Sequence, residues 1–481
     1  MMTDSSIIAS RARTKIVATV GPACREVDQL TELIRSGVSV FRINTAHGDE
    51  AERTEMLARI RAAAAALDCP VGILVDLAGP KIRLGKLIVD PTPCNAGEIF
   101  RFIPGDEARA PDELTSNYPA LISELTVGDT VMLADGTVSM TVVEKSAGEA
   151  RVRVTQPGVI RSRQGINLPG IKLSVASLTE ADSANAAWAA RHEVDFVSLS
   201  FVRSPHNVLE LAQLLRKQGS HAAVIAKIEK REALDHLPDI VRAADGVMVA
   251  RGDLGVEVDV AETAVVQKRI VRECQRQGKP VIVATQMLDS MHHNRRPTRA
   301  EATDVANAIL DGADACMLSG ETAIGEYPIE AVRMMNRIML ATEPLLKENA
   351  QALSAAVEGN VHPVTHAAVL AGSSIVQRIG ARLVIVATRS GSTCRLRSKM
   401  RDAVPTIGVS DSPTVLRQLT LLWGVTPLAG APVNDGPQLR QFISDWGRRQ
   451  KVVQKGDRIV FLTGTNFYPL AQNIIVIHEV E

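Results

Sequence analysis

The sequence predicts an α/β protein in which a (β/α)8 barrel carries an inserted all-β domain and is followed by an open α/β domain. Short apolar segments alternate with helical segments about eight times before residue 345, and eight such units close a barrel. The alternation stops between residues 84 and 173, where short alternating segments and turns replace it. The alternation resumes at residue 177, and a second, shorter series follows after residue 355. The predicted domains are therefore residues 1–83 with 174–345, residues 84–173, and residues 355–481.

The composition excludes several classes of protein. Lysine and arginine together number 54, as do aspartate and glutamate, so the 481-residue chain has no net charge. This balance argues against a nucleic acid or a membrane surface as a partner. The six cysteines form no C-x-x-C pair, which argues against a zinc site and predicts reduced thiols. Because the sequence shows neither a signal peptide nor a long apolar run, we expect a cytoplasmic protein.

Eight apolar segments, each too short for a helix, are predicted to be the barrel strands. They are residues 14–20, 38–43, 71–75, 195–199, 224–226, 246–250, 281–284 and 315–318. Polar residues lie at or just after the end of nearly every strand. In parallel α/β folds the carboxyl ends of the strands meet at one rim, where the active site lies. Loops that are merely hydrophilic would not concentrate polar residues at this end.

The fifth and sixth strands carry the clearest site pattern. Lys227 and Glu229 end the fifth strand, and Arg251 and Asp253 follow the sixth, next to Gly252. Two carboxylates and two cations at one rim suit Mg²⁺ and a phosphorylated substrate, because Mg²⁺ prefers oxygen ligands. The alternative is a set of surface ion pairs. Recurrence of the pattern on neighbouring strands, beside a glycine whose backbone amide can approach an anion, favours the functional interpretation.

The two remaining domains have different predicted roles. In the inserted domain, residues 131–133 and 137–143 are predicted to form a hairpin, and an insertion at this loop is typical of a lid. In the last domain, strands at 383–387, 405–409, 425–428, 458–462 and 474–477 alternate with helices, which predicts a largely parallel sheet. The segment TRSGST, from Thr388 to Thr393, enters a helix after the first of these strands. Its hydroxyls and amides fit a phosphate nest, and a plain helix cap fits them equally well.

Several long motifs together resemble the pyruvate kinase family. They are FRINTAHG, LVDLAGPKIR, INLPG, AKIEK, MVARGDLGVEV, VATQMLDSM and RPTRAEATDVANAILDGADACMLSGETAIGEYP. The resemblance covers essentially the whole chain in order. It implies a TIM barrel with a β lid and a C-terminal α/β domain. It also implies transfer of the phosphoryl group of phosphoenolpyruvate to ADP, which gives pyruvate and ATP with Mg²⁺ or Mn²⁺ as cofactor.

The resemblance assigns a role to each matching residue. Glu229 and Asp253 would hold the metal ion, and Lys227 would stabilise the transferring phosphoryl group and the enolate. Arg42 and Arg83 would contact phosphate groups. The backbone around Arg251, Gly252 and Asp253, with Thr285, would bind the substrate carboxylate. Ser319 and Glu321 match positions near the face where the enolate is protonated. Thr388, Ser390, Ser392 and Thr393 would bind a phosphorylated effector, and a homotetramer is implied by relatives.

The sequence departs from the family pattern at the monovalent cation site. Asn44 and Asp76 match family K⁺ ligands, but Ala46 stands where a serine is usual. Lys81 replaces a glutamate of potassium-dependent members, and Leu77 together with Leu84 resembles the potassium-independent pattern. A lysine ammonium can supply the missing charge, so we predict that Lys81 replaces K⁺ and that K⁺ is not required.

A further departure lies in the lid, and two other functions remain open. Gln164 occupies a position that is often lysine in the family, so nucleotide contact from the lid would fall to Arg163. One alternative function is a metal-dependent lyase that also stabilises a pyruvate enolate, although such an enzyme needs neither the lid nor the last domain. The other is a non-catalytic paralogue that senses metabolites. The effector, the cooperativity and the preferred nucleoside diphosphate are not predicted by the sequence.

Overall fold

The computed structural model describes residues 11–171, 174–346, 362–463 and 473–481. Within these residues eight parallel strands close into a barrel, and each strand pairs with the one before and the one after it in the chain. This confirms the predicted barrel. The strands, which are called the first to the eighth below, are Lys15–Thr19, Val38–Asn44, Gly72–Asp76, Phe196–Leu199, Ala223–Ile228, Gly246–Ala250, Val281–Ala284 and Ala315–Leu318.

Helices surround the barrel and bury their apolar faces against the strands. They are Val27–Ser36, Glu50–Ala66, Glu180–Arg191, Pro205–Lys217, Glu232–Asp235, Leu237–Ala243, Arg251–Glu257, Val260–Arg276, Arg299–Asp311, Gly320–Ala323 and Pro328–Thr342. Local sequence sets where several of them begin. At Thr298 and Glu301, for example, each side chain accepts a hydrogen bond from the other residue's backbone N–H. This reciprocal capping box satisfies donors that the first helical turn leaves free.

The connection between the fifth and sixth strands is two short helices rather than one continuous helix. They are Glu232–Asp235 and Leu237–Ala243, and Pro238 lies in the first turn of the second. A proline fits the first turn of a helix, but inside a continuous helix it would remove one backbone hydrogen bond and clash with the preceding turn. Leu237, Ile240 and Val241 of the second helix are buried in the core around the barrel.

The inserted domain is rich in β-structure, as predicted, and has its own hydrophobic core. A six-stranded sheet contains Ile166–Asn167, Thr130–Leu133, Val138–Lys145, Ala150–Gln156, Ile99–Phe102 and Glu113–Leu114, and a two-stranded sheet pairs Gly158–Ile160 with Thr92–Cys94. The predicted hairpin is present as the antiparallel pair Thr130–Leu133 and Val138–Lys145. A short helix, Leu121–Glu124, completes the domain.

The C-terminal domain is the predicted α/β sheet. Its strand order is Val425–Leu428, Thr406–Val409, Leu383–Ala387, Arg458–Thr463 and Ile474–Glu479, with the last strand antiparallel to its neighbour. The helices are Pro363–Ile379, Ser392–Lys399, Pro413–Leu419 and Gly436–Arg449. The helix expected after residue 345 falls mostly in residues 347–361, which lie outside the described residues. The exact domain boundaries stay a prediction.

The C-terminal domain packs against the amino-terminal end of the barrel. Leu421 joins the cluster of inward-facing barrel residues, and burying a leucine side chain contributes about 2 kcal/mol. Thr420 approaches the start of the third strand so closely that a Cβ on Gly72 would lie 2.6 Å from its Oγ1. Asp314 is fully buried at the same junction and receives Lys399 Nζ at 2.6 Å and Arg401 Nη2 at 3.0 Å. The opposite, carboxyl end of the barrel therefore stays clear for a site.

Two further expectations concern the whole chain. All six cysteines lie in the part of the chain that the structure describes, and none of them is in a disulfide bond. Five of them are buried, and Cys69 is partly exposed. Among the helices that the structure describes, none combines the length and the apolar character needed to cross a bilayer.

Candidate active site

Lys227 lies at the carboxyl end of the fifth strand and is the centre of the candidate site. Its Nζ is 2.7 Å from Ser200 Oγ, 2.9 Å from Glu229 Oε1 and 3.3 Å from Asp76 Oδ1. Burial alone would lower the pKa of this ammonium, but the carboxylates of Asp76 and Glu229 outweigh burial and raise it. Lys227 therefore remains a cation with a fixed position.

Arg42 brings a second cation to the same carboxylate from the second strand. Its Nη2 and Nε lie 2.6 and 2.8 Å from Asp76 Oδ2, and its Nη1 donates to Thr19 Oγ1 at 3.1 Å. Burial would raise the pKa of Asp76, but Lys227 and Arg42 dominate and lower it. Asp76 thus stays ionised and holds two cations side by side at the rim, as a site for a transferring phosphoryl group requires.

Glu229 and Asp253 form the candidate metal pair. Glu229 is 1% exposed, and its Oε2 accepts a hydrogen bond from the Phe201 N–H at 2.6 Å. Burial raises the pKa of Glu229, and the negative charge of Asp253 raises it further, although Lys227 opposes both effects. Asp253 is thus close enough to Glu229 for its charge to act on this carboxylate. Oxygen ligands on one or two carboxylates, with the rest from substrate and water, suit Mg²⁺.

Across the described ranges, no three His, Cys, Asp or Glu side chains come together in an arrangement that could hold a metal ion. The prediction required only the carboxylates of Glu229 and Asp253, so their arrangement fits a divalent ion whose other ligands come from substrate and water.

The segments that follow the sixth and seventh strands are joined to each other by hydrogen bonds. Thr285 Oγ1 accepts a hydrogen bond from the Gly252 N–H at 2.8 Å and donates to Ala284 O at 2.6 Å. Thr285 has a φ of 70°, a left-handed conformation that is strained for a β-branched residue. Arg251 donates to Thr285 O at 2.7 Å and pairs with Asp304 Oδ2 at 2.6 Å. The guanidinium of Arg251 therefore supports the loop.

Ser319 and Glu321 lie just after the eighth strand. The buried Glu321 carboxylate accepts hydrogen bonds from the Ser319 N–H at 2.7 Å and from the Leu288 N–H at 3.1 Å. It thereby ties the start of the helix Gly320–Ala323 to the loop after the seventh strand. The ring of His292 packs against Gly320, the first residue of this helix. A Cβ added to Gly320 would lie only 2.4 Å from the His292 ring.

At the predicted monovalent cation site, Asn44 Oδ1 accepts a hydrogen bond from the Ala46 N–H at 3.1 Å. Asp76 is engaged by Arg42, Lys227 and the Ser198 hydroxyl, whose Oγ is 2.6 Å from Asp76 Oδ1. Lys81 forms an ion pair with Asp253, Nζ to Oδ1 3.0 Å. The structure therefore brings Lys81 to the candidate metal pair, and its role as a replacement for K⁺ stays a prediction.

Comparison with known proteins follows the same division of the chain. The family model described as pyruvate kinase, barrel domain, matches residues 11–332, and the model described as pyruvate kinase, alpha/beta domain, matches residues 366–478. The chain belongs to the pyruvate kinase family. Pyruvate kinases are phosphotransferases that bind phosphoenolpyruvate and ADP and generally use Mg²⁺.

Individual relatives are similar over almost the entire chain. A pyruvate kinase of Geobacillus stearothermophilus is 40% identical over 457 residues, which cover 94% of this chain and 78% of the relative. One from Mycobacterium intracellulare is 39% identical and covers 97% of this chain and 98% of the relative. The crystal structure of a pyruvate kinase from Cryptosporidium parvum superposes with a TM-score of 0.92 at 32% identity, covering 98% of this chain and 97% of that one.

The candidate nucleotide contacts of this pyruvate kinase family member lie where the lid joins the barrel. Arg83 Nη1 donates to Arg163 O at 3.1 Å, and the Arg83 N–H donates to Asn117 Oδ1 at 2.8 Å. Arg163 has a φ of 67°. Gln164 Oε1 accepts a hydrogen bond from the Arg161 N–H at 2.7 Å, so this side chain turns back into its own loop. The structure thus brings Arg83 and Arg163 together at this junction.

The candidate effector loop of this pyruvate kinase family member enters the helix Ser392–Lys399. Thr388 Oγ1 accepts a hydrogen bond from the Gly391 N–H at 3.0 Å, and the hydroxyl oxygens of Ser390 and Ser392 are 2.8 Å apart. Gly391 has a φ of 78°, and Thr393 lies in the first turn of the helix. The C-terminal segment GTNFYPLAQN, expected to help choose the effector, lies outside the described residues except for its final asparagine.

Sequence reasoning missed several polar contacts of this pyruvate kinase family member. Ser198 binds Asp76, and Ser200 binds Lys227 while donating to Leu77 O at 2.7 Å. Ser200 directly follows a predicted strand, but the sequence analysis assigned it no role. Ser198 lies within the apolar segment of the fourth strand, where alternation gives no signal for a buried hydroxyl. His292 directly follows the motif VATQMLDSM, and nothing in the sequence indicates its contact with Gly320.

Proposed function

We propose that this chain transfers the phosphoryl group of phosphoenolpyruvate to ADP and releases pyruvate and ATP. One arrangement supports the proposal above all others: Lys227 lies between Asp76 and Glu229, beside the Glu229–Asp253 pair. Phosphoryl transfer requires little covalent participation by the protein. Its rate depends mainly on the positioning of the reactants and on stabilisation of the charge that develops. A fixed ammonium next to two carboxylates provides both.

The roles of the individual residues follow from these contacts. The bond between the enol oxygen and phosphorus breaks, and a new bond forms to the terminal oxygen of ADP. Lys227 stabilises charge on the transferring group and on the enolate oxygen, and Arg42 contacts the phosphoryl group. Glu229 and Asp253 would hold a magnesium ion, which would supply further positive charge at the site. Manganese would serve the same site.

The substrate carboxylate would lie against the loop formed by Arg251, Gly252, Asp253 and Thr285. The hydrogen bond from Gly252 to Thr285 holds this loop in one conformation, which reduces the cost of ordering it when substrate binds. Arg251 acts here by supporting Thr285.

Proton delivery completes the reaction. After phosphoryl transfer the enolate takes a proton at carbon, and Ser319 with Glu321 lies at the rim where a water molecule can deliver it. The Glu321 carboxylate is held by two backbone N–H groups, so it fixes the position of Ser319. On the nucleotide side, Arg83 and Arg163 would contact the phosphates of ADP when the lid closes and excludes water.

Regulation and assembly are also proposed from the same resemblance. The loop Thr388 to Thr393 would bind a phosphorylated effector at Ser390, Ser392 and the adjoining amides of the helix start. We expect the chain to act in the cytoplasm as a homotetramer without a requirement for K⁺.

A coupled assay that follows pyruvate formation from phosphoenolpyruvate and ADP with Mg²⁺ tests the main proposal. We expect Lys227→Met to lower kcat by about a thousandfold or more, because charge stabilisation usually provides most of the rate enhancement in such reactions. Lys217→Met, at an exposed helix end, serves as the matched control. Near-normal turnover of Lys227→Met would contradict the role of this lysine. A lyase or a non-catalytic paralogue would form no pyruvate in the wild-type assay.

A further inference from the structure

The helix Arg251–Glu257 carries Asp253, one of the two carboxylates of the candidate metal pair, and its own sequence stabilises it poorly. It has only seven residues, and two of them, Gly252 and Gly255, are glycines. Glycine is less favourable than alanine inside a helix, and an isolated helix of this length is not stable in water. The position of Asp253 therefore depends on the contacts that this helix makes with the rest of the barrel.

The start and the middle of the helix are held by contacts with the barrel. The Gly252 N–H donates a hydrogen bond to Thr285 Oγ1 at 2.8 Å, and the Arg251 guanidinium donates to Thr285 O. Leu254, in the middle of the helix, is fully buried in the core around the barrel. The last residue of the helix has a separate attachment.

Glu257, this last residue, attaches the helix to the segment that follows the fifth strand. Its side chain is 3% exposed, and its Oε1 lies 2.5 Å from Lys230 Nζ. The Glu257 carboxylate also accepts a hydrogen bond from the Arg231 N–H. Lys230 directly follows Glu229, the other carboxylate of the candidate metal pair. The Glu257 side chain therefore joins the helix that carries Asp253 to the segment that carries Glu229.

Burial makes this attachment depend on the charge of Lys230. Burial raises the pKa of the Glu257 carboxyl group, and Lys230 and the Arg231 N–H oppose the rise. The negative charge of Asp253 raises the pKa of Glu257 as well, so Asp253 is close enough for its charge to act on this group. A buried carboxylate that loses its cation is strongly destabilised, because nothing then compensates its lost hydration. Lys230 therefore keeps the Glu257 carboxylate in its buried position.

We propose that Lys230 and Glu257 are positioning residues that set the distance between the carboxylates of Glu229 and Asp253. Their ion pair connects the two backbone segments that carry these carboxylates. Removal of a group that orients metal ligands typically weakens metal affinity by roughly 10- to 100-fold. This inference rests on the proposed function, because it takes Glu229 and Asp253 as the metal ligands of the transfer reaction.

Two other roles for the ion pair predict different results. If Lys230 acted only through its charge, its removal would make the surroundings of the metal ion less positive and would tighten metal binding. If the ion pair only stabilised the fold, its loss would lower Tm and leave metal affinity unchanged. A positioning role predicts weaker metal binding when Lys230 is removed. The sign of the change in metal affinity therefore separates the three roles.

The Mn²⁺ affinity of the substrate-free chain, measured by electron paramagnetic resonance, tests the proposal. We expect Lys230→Met to weaken Mn²⁺ binding by about tenfold, and Lys230→Arg, which keeps the charge, to bind Mn²⁺ nearly as well as the wild type. Lys86→Met is the matched control, because it removes a lysine from an exposed ion pair with Glu107 in the lid. Unchanged or tighter Mn²⁺ binding by Lys230→Met would overturn the proposal.

Hydrogen–deuterium exchange of the metal-free chain provides a second measurement, which requires no bound metal. The backbone amides of residues 253–257 should exchange about tenfold faster in Lys230→Met and in Glu257→Gln, because the last turn loses its ion pair. Glu257→Gln is expected to fold, since its amide oxygen can still accept the hydrogen bond from the Arg231 N–H. Exchange in the helix Pro363–Ile379 should not change. Wild-type exchange rates for residues 253–257 in both variants would overturn the proposal.

Failure of this proposal is distinguishable from failure of the proposed function. Neither measurement requires turnover, so the two variants can refute the positioning role while the wild type still forms pyruvate. Failure of the proposed function would instead appear as absence of pyruvate formation by the wild type in the coupled assay.

Discussion

Arg417 of the C-terminal domain forms an ion pair with Asp195 at the start of the fourth barrel strand, with Nε 2.7 Å from Oδ1. The other carboxylate oxygen of Asp195 accepts a hydrogen bond from the Ile73 N–H at 2.9 Å. The far end of the same strand carries Ser198 and Ser200, which bind Asp76 and Lys227. One strand of four residues therefore joins the contact between domains to Lys227, the candidate catalytic lysine.

The Asp195–Arg417 pair makes stability depend on pH in a defined direction. Burial raises the pKa of Asp195 to about 6, and Arg417 limits the rise. An acid with a raised pKa in the folded state loses stability as pH rises from its unfolded value, near 3.8, through 6. Arg417→Met raises the pKa further, so we expect a larger fall in Tm at pH 7.5 than at pH 5. In an Asp195→Asn background the effect of Arg417→Met should no longer depend on pH, and persistence of the dependence would contradict this account.

The raised pKa of Glu229 predicts that protons compete with the metal ion. Mn²⁺ affinity of the substrate-free enzyme, measured by electron paramagnetic resonance, should weaken as pH falls, because protonation removes a ligand. Glu229→Gln should weaken Mn²⁺ binding by about tenfold or more and abolish much of this pH dependence. Glu262→Gln, at an exposed position, is the control. Unchanged Mn²⁺ affinity in Glu229→Gln would refute the metal assignment.

The position of Lys81 predicts the response to monovalent cations. An ammonium 3.0 Å from Asp253 supplies positive charge beside the metal pair, so the wild-type rate should be the same in tetramethylammonium buffer as in buffer with K⁺. Initial rates at saturating phosphoenolpyruvate and ADP provide the measurement. Strong activation of the wild type by K⁺ would show that Lys81 does not replace this ion.

Ser200 is expected to position Lys227 rather than to react. Its hydroxyl accepts a hydrogen bond from Lys227 Nζ and donates one to Leu77 O, so it links the ammonium to the rigid backbone of the rim. Ser200→Ala should lower kcat by about tenfold and leave KM for phosphoenolpyruvate nearly unchanged, since the ion pairs of Lys227 remain. Ser123→Ala, in the lid, is the control. A change confined to KM would argue for a role in substrate binding instead.

The contact between Gly320 and His292 predicts a rescue experiment. A methyl group on Gly320 would lie 2.4 Å from the His292 ring, so Gly320→Ala must displace the helix start that holds Ser319 and Glu321. We expect a loss of kcat of about tenfold or more, because small displacements of catalytic groups are costly. Adding His292→Ala removes the clash and should restore most of the activity. A double variant as slow as the single one would show that the contact is not the cause.

The local pattern of the sequence predicted the barrel with accuracy. Strands such as Val281–Ala284 and Ala315–Leu318 begin and end where they were predicted, because a buried parallel strand is a continuous apolar segment that turns interrupt. Residues at strand ends were also predictable, since parallel strands bring their carboxyl ends together. For this reason Lys227, Glu229 and Asp253 could be placed in one site from the sequence alone.

Contacts between distant parts of the chain could not be predicted in this way. The partner of Lys81 is Asp253, which lies 172 positions away, and the partner of Asp195 is Arg417, which lies 222 positions away. Neither pairing leaves a trace in apolar periodicity, because periodicity records only which face of an element is buried.

The sequence by itself determined the order of strands and helices, the family to which the chain belongs and the set of residues at the catalytic rim. Spacing and apolar pattern are local properties of the sequence. In a barrel of parallel strands, the residues that follow the strands lie together at one rim, so the strand positions also identify the rim residues. The tertiary structure alone decided which cations pair with which carboxylates and how Leu421 of the C-terminal domain packs against the inward-facing residues of the barrel. Those outcomes depend on distances and burial between residues far apart in the chain, and only the packed fold sets them.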